Sequence, residues 1–318
     1  MTDSGVAAGR QSADASRAHV LAAFAIVYVV WGSTYLAIRY AVETIPPFLM
    51  VGTRFIVSGV LLYAWGRMRG DQRPTPAQWR DATIVGILML CLGNGAVSWA
   101  EQRVPSGLAA LLVAVVPLWM VLLDWLRPRG TRPRVLVMAG VVVGLAGLFV
   151  LIGPDSFSGH GAVDLVGAVV LIAGSLAWAA GSIYTRYGTA PASAVMSTGV
   201  QMIGGSLALL VVGVARGELA VLHPAQISAH SWEGWIYLVT FGSLLGFTAY
   251  IYLLQNVSPA KASTYAYVNP LVAVLLGWAI AGETVTARSL AAAAIILGGV
   301  AMISLSQNGT TSKATSGD

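Results

Sequence analysis

Charge is scarce in this sequence. Only 10% of its 318 residues are Asp, Glu, Lys or Arg, against about 25% in an ordinary soluble domain. So few charges cannot cover a water-facing surface. The one cysteine, Cys91, excludes an intrachain disulfide and says nothing of the redox compartment. The four histidines, His19, His160, His223 and His230, are expected in the tail or outer links, so the usual general base and metal ligand is missing from the apolar interior. No GxxxxGKS/T phosphate loop occurs, which excludes transport powered by this chain's own nucleotide hydrolysis. Basic residues are few and scattered, so nucleic acid is not a partner despite a net charge of +5.

What is present is hydrocarbon. Hydrophobic residues make up 57% of the chain and the mean hydropathy is +0.75. Apolar runs long enough to cross about 30 Å of lipid lie near 20–40, 47–66, 80–101, 105–126, 135–152, 162–186, 193–215, 233–255, 259–280 and 288–306. The expected fold class is an all-α integral membrane protein of ten transmembrane helices, because a β-barrel needs short alternating strands. The first run reaches Arg39 without a small-residue cleavage site, so it reads as an uncleaved span. With the N-terminus inside, cytoplasmic segments hold 13 of the Lys and Arg residues and outer segments hold four, Arg39, Arg103, Arg216 and Arg288. That bias predicts both termini in the cytoplasm.

The second half repeats the first. Trp31 to Tyr40 reads WGSTYLAIRY and Trp178 to Tyr187 reads WAAGSIYTRY, at a shift of 147. At a shift of 153, Val121–Trp125 (VLLDW) overlies Val274–Trp278 (VLLGW), Pro117 overlies Pro270, Gly93 overlies Gly246 and Gln102 overlies Gln255. Each half then holds five spans, and an odd number inserts the copies in opposite senses. Inverted repeats of this kind suit alternating access around a central site.

The WG-S-T motif in the first span, the Arg54-Phe55 pair, the Gly282-Glu283-Thr284 motif and the five-plus-five organisation resemble an EamA-type member of the drug/metabolite transporter superfamily. Within it the chain looks most like the YddG type of exporter. The residues leave open another small organic cargo, such as a drug, nucleoside or polyamine-like cation, and a channel suits the inverted copies and matched kinks less well. The resemblance implies a multi-pass protein of the bacterial inner membrane, small-molecule cargo such as aromatic and other neutral amino acids and related compounds, and no cofactor. It also implies a domain plan: tail 1–19, first repeat 20–152, outer linker 153–161, second repeat 162–306 and tail 307–318. A monomer is expected to suffice. The first half has RPRGTRPR where the second has GETVTAR, so Glu283 lacks a repeat mate and reads as a loop or helix-cap residue on the outer side.

Polar groups at membrane depth point to a cargo site, because hydrocarbon penalises them unless they face a partner or a wet cavity. Arg54 lies about 12 Å into its span, and its repeat mate is Gln201. It suits a carboxylate, or else caps a neighbouring helix. Asn94, Ser98 and Glu101 share one helical face with Trp99 beside it, and Thr248, Tyr252 and Gln255 repeat that spacing. Pro117 and Pro270 free the carbonyls of Val113 and Ala266 and are candidate kinks or gates. Trp119, Tyr265, Tyr267 and Asn269 flank them, and Trp31 and Trp178 are deep, repeat-matched aromatics suited to stacking. Trp65, Trp79, Trp232 and Trp235 read as interfacial residues. Gly140 with Gly144 and Gly242 with Gly246 read as helix-packing pairs. Glu101 and Asp124 sit near span ends, so the driving force for flux is expected to be the cargo gradient and not a proton carried across the membrane down ΔpH by a buried carboxylate. No buried nucleophile–base pair or metal cluster is apparent, which disfavours an enzyme.

Overall fold

Helix starts in this chain are written in short polar motifs. The computed structural model describes residues 18–126, 132–153, 164–185, 187–191, 193–257 and 264–314, with the side chains of 251, 254–256, 266–267 and 304–314 outside the described residues. Arg10, Arg17, Arg127, Arg129, Arg186, Lys261 and His160 also lie outside them.

The long helices are α1 (Ala18–Ala41), α2 (Pro47–Met68), α3 (Pro76–Ala100), α4 (Ser106–Leu126), α5 (Val135–Ile152), α6 (Leu165–Tyr184), α7 (Ala194–Ala215), α8 (229–256), α9 (Tyr265–Ala279) and α10 (Ala287–Ala314). Helices α1 to α7 are seven that are each long and apolar enough to cross a membrane. No strand occurs among the described residues.

Thr75 and Gln78 form a reciprocal capping box before α3, with Pro76 at the first helical position. Asp164, Ser193 and Ser228 cap α6, α7 and α8 by accepting from Gly167, Met196 and Ser231 amides. These caps explain why α3 and α8 begin four residues before the apolar runs that predict them. Hydropathy registers the hydrocarbon crossing, whereas the polar first turn stands outside it. His19 and His230 accordingly fall on the opening turns of α1 and α8, not in links.

Small residues set the packing. Helix α2 runs along α7, and α5 along α10. A Cβ on Gly140 would approach the Gly299 carbonyl oxygen to 2.6 Å, and one on Gly59 the Gly199 carbonyl oxygen to 3.0 Å. Such contact gives van der Waals attraction between helices that lipid cannot drive together hydrophobically. Helices α1, α3, α4, α6, α8 and α9 meet inside this frame, through α1–α8, α3–α6, α1–α9, α4–α6 and α4–α9 contacts. Large apolar side chains such as Val142, Phe149, Leu207 and Val211 are exposed on the outer frame. That surface is the one hydrocarbon would cover.

Candidate functional site

Three of the inner helices depart from α geometry, and the departures shape one cavity. Wider π turns occur at Val27–Trp31 in α1, Ile87–Asn94 in α3 and Leu238–Leu245 in α8. Such turns are common at functional sites because they leave backbone groups and side chains off the helical repeat. Here they carry Trp31, Gly93 and Asn94, and Gly242 and Ser243. All are cavity-lining residues or their direct partners. The cavity has a volume of about 690 Å³, enough for a small organic molecule.

Arg54 from α2 is a buried cation in its wall. The residue is 3% exposed. Its Nε donates to Ser243 Oγ at 3.0 Å and its guanidinium lies 4.6 Å from the centre of the Phe55 ring. Nη1 is buried and meets no acceptor among the described residues. On α9, Asn269 lines the same cavity and its Oδ1 likewise meets no donor among the described residues. An unmatched donor on a cation and an unmatched acceptor are costly in a dry interior. Both costs fall if a bound molecule supplies the complements.

Aromatics form one wall. The Trp31 ring lies 5.3, 5.0 and 5.1 Å from those of Phe247, Tyr250 and Tyr265, and its Nε1 donates to the Gly242 carbonyl at 3.2 Å. Trp178 stands across the cavity on α6. Each tryptophan occupies room left by a glycine of the other half. A Cβ on Gly246 would lie 2.5 Å from Trp31 Nε1, and a Cβ on Gly93 would lie 3.1 Å from Trp178 Cε3. Gly242 and Gly246 therefore make space for Arg54 and Trp31, in addition to any role in helix packing.

Of the residues expected at a cargo site, Trp31, Arg54, Asn94, Trp178, Tyr265, Asn269, Pro117 and Pro270 line this cavity. Several do not, for local reasons. Thr248 donates to the Leu244 carbonyl and Gln201 to Ser197 Oγ, each within its own helix. Trp119 donates to Ser175 Oγ and reaches the cavity only through it. Trp99 packs in the core under the Arg103 guanidinium, Tyr252 packs beside Val27 and Leu253, and Ser98 is fully buried. Gln255 and Tyr267 have side chains outside the described residues. The two prolines also differ: α4 loses its α geometry at Ala114 and Val115, whereas α9 continues through Pro270. Tyr35, Phe55, Ser175 and Phe247 line the cavity without having been singled out as contacts. The signal for Tyr35 was its place one turn after Trp31.

The cavity has two unlike ends. Towards the α4–α5 link it reaches the exposed Arg132 and Arg134. At the other end, just past Ile38 and Ala110, Glu283 from the α9–α10 link closes the bundle. Its carboxylate accepts from Ser106 N (2.8 Å), Ser106 Oγ (2.7 Å) and Gly107 N (3.0 Å) at the start of α4, and it pairs with Arg39 of α1. The N-terminal amides and dipole of α4 favour this anion. Burial alone would raise the Glu283 pKa, but the bonds from Gly107 and Ser106 and the Arg39 charge outweigh it and hold it below the ordinary carboxylate value. One turn away, Glu101 is 5% exposed and neither of its oxygens meets a donor among the described residues. The helix-end position predicted for it is correct, but the side chain points into protein.

Among the described residues no group of three or more His, Cys, Asp or Glu is placed to hold a metal ion.

Comparison with known proteins adds relatives to this geometry. The profile of the EamA-like transporter family matches twice, at residues 18–153 and 165–305. The chain is 40% identical over 280 residues to the uncharacterized inner membrane transporter YedA of Escherichia coli (strain K12), covering 88% of each sequence. It is 27% identical over 274 residues to protein PagO of Salmonella typhimurium, covering 84% of this chain and 86% of that one. A solved crystal structure superposes with a TM-score of 0.62 at 21% identity, over 91% of this chain and 98% of its own, a likeness of fold.

Proposed function

Because the chain belongs to the EamA-like transporter family, we propose that it is an inner-membrane exporter of neutral, chiefly aromatic, amino acids. One observation carries the cargo reading: a buried guanidinium N–H and a buried amide oxygen, both unmatched, line one cavity walled by aromatic rings. Arg54 takes the cargo carboxylate in a charge-assisted bond. Asn269 accepts from the ammonium, and Trp31, Phe247, Tyr265 and Trp178 receive the side chain. The YddG-type resemblance agrees with this class.

The mechanism we infer is alternating access by two inverted five-helix halves within a ten-span bundle. Several features support the duplication. The family profile matches each half, the helix contacts keep their pattern when each number is raised by five, as α2–α7 and α5–α10 join equivalent helices, and each half's Trp fills the space beside the other half's Gly. Basic residues at the α4–α5 end support a cytoplasmic mouth and cytoplasmic termini. The conformation is then inward-open, with the Glu283 cluster as the shut outer gate. The halves rock to open that gate while the cytoplasmic mouth closes.

Counterflow into proteoliposomes of the purified protein, against neutral amino acids, nucleosides, drugs and polyamines, tests the cargo class. Exchange of phenylalanine or tryptophan is the expected result. Exchange of only a non-carboxylate class would transfer the site to another organic cargo, and stepwise ion currents in a planar bilayer would replace the carrier by a channel.

A further inference from the structure

Among the described residues at the outer gate, Glu101 is a buried acid that the Glu283 latch, with Ser106, Gly107 and Arg39, does not use. It stands in the turn after α3, with both carboxylate oxygens shielded from water and from every donor among the described residues. A charge so placed is strongly disfavoured, and a neutral carboxylic acid is tolerated. Its neighbours are known from each side. Arg39 and Tyr35 face it from α1, Glu283 from the α9–α10 link, Glu43 from the α1–α2 turn and Arg103 from its own turn. Arg39 is already engaged by Glu283.

A second, smaller cavity of about 450 Å³ borders Arg39, Glu43, Glu101 and Arg103, so solvent lies next to the buried acid. On the other side, the face of α3 that carries Glu101 continues through Ser98, whose buried Oγ also has no partner among the described residues, to Asn94 in the central cavity. Polar groups thus run from the cargo site to the gate, those of Ser98 and Glu101 unmatched among the described residues and Asn94 donating weakly to the Met89 carbonyl at 3.4 Å.

We propose that Glu101 is a proton-binding site that controls the outer gate: the closed gate holds it as the neutral acid, and opening exposes it to ionise and compete with Glu283 for Arg39. The proton is taken from the outer aqueous phase as the gate shuts and returns there when the gate reopens; no bond other than O–H forms or breaks. Burial, the Glu283 charge opposite and the weaker opposing pull of Arg39 leave the Glu101 pKa raised well above the ordinary carboxylate value in the closed state. A group whose pKa is raised in the closed state favours that state at low pH, and the preference fades as pH rises through the raised value. Glu283, shifted the other way, stays ionised through the same window and keeps the latch intact.

The exporter reading supplies the direction of this cycle, but its test needs no cargo, so the two fail separately. Spin labels at Gln102→Cys and Thr284→Cys, in the full-length Cys91→Ala chain in liposomes, report the distance between the α3–α4 and α9–α10 links. Between about pH 5 and about pH 8 the ratio of closed to open populations should change by up to about tenfold per pH unit, the limit for one linked proton. Glu101→Gln should remain closed throughout. Should that variant not fold, Glu101→Asp should shift the midpoint of the titration. A distance distribution in the native chain that ignores pH, or a titration unchanged in Glu101→Gln or Glu101→Asp, would overturn the proposal.

Discussion

Replacing Glu283 by Gln should unlatch the outer gate by about a hundredfold. Its carboxylate accepts from Ser106 N, Ser106 Oγ and Gly107 N at 2.8, 2.7 and 3.0 Å and holds Arg39. A hydrogen bond to a charged acceptor contributes about 1.5–3 kcal/mol and a neutral one about 0.5–1.5, so the two α4 amides lose about 1 kcal/mol each. Loss of the anion at the α4 N-terminus removes about 0.5 kcal/mol more. The ion pair adds less than about 1 kcal/mol, since the Arg39 side chain is 34% exposed. The sum is about 3 kcal/mol, equivalent to about a hundredfold in the open-to-closed ratio. Ile38 lines the central cavity just inside the latch and is 3% exposed. A membrane-impermeant maleimide added outside should therefore label Ile38→Cys, in a Cys91→Ala background, much faster when Glu283 is Gln, with exposed Thr284→Cys as the control. Labelling within about twofold of the native latch, the scatter of a neutral surface change, would refute the assignment of Glu283 as the gate.

Other consequences follow from the same contacts. Gly246→Ala places a methyl 2.5 Å from Trp31 Nε1 and should abolish transport while the protein still folds, whereas Gly93→Ala, with 3.1 Å to Trp178, should only slow it; counterflow rates of the two variants check the order. Gly86→Ala would put its Cβ 2.2 Å from the Gln201 carbonyl oxygen, a backbone clash between α3 and α7, and should cost about 1–3 kcal/mol, read as a lowered Tm in detergent. Trp178→Ala and Asn269→Ala should each reduce flux with unchanged yield of folded protein; native rates in both would remove them from the site. In Glu101→Gln the remaining acid dependence belongs to Glu283, whose pKa is lowered, so labelling of Ile38→Cys should stay flat through mildly acidic pH and rise only as pH falls below the usual carboxylate range.

Much of this was legible from residue types alone. Trp31 with Trp178 and Pro117 with Pro270 stood out as repeat-matched pairs, and Arg54 because a cation is expensive at membrane depth; all five line the cavity. Thr248 and Gln201 misled for the opposite reason: a hydroxyl or amide can satisfy itself within its own helix, which residue identity does not reveal. The π turns were invisible because Ile87–Asn94 and Leu238–Leu245 are apolar like the α-helical runs around them. Yet those turns present Gly93, Gly242 and Ser243 to Trp178, Trp31 and Arg54. The burial of Glu101 was also hidden, since the sequence places this acid only near a span end and does not show the chain that packs over it. Glu283 was legible as a cap, but the α4 amides it caps, those of Ser106 and Gly107, lie 177 and 176 residues away in sequence.

In the proposed mechanism Arg54 binds the carboxylate of the cargo, and paired counterflow of two compounds isolates that contact. Phenylalanine and its decarboxylated amine should be compared in native protein and in Arg54→Gln. Loss of one charge-assisted bond, about 1.5–3 kcal/mol, should lower phenylalanine exchange by about ten- to a hundredfold and leave the amine unaffected. An equal loss for both compounds, or phenylalanine exchange that survives the substitution, would contradict the account.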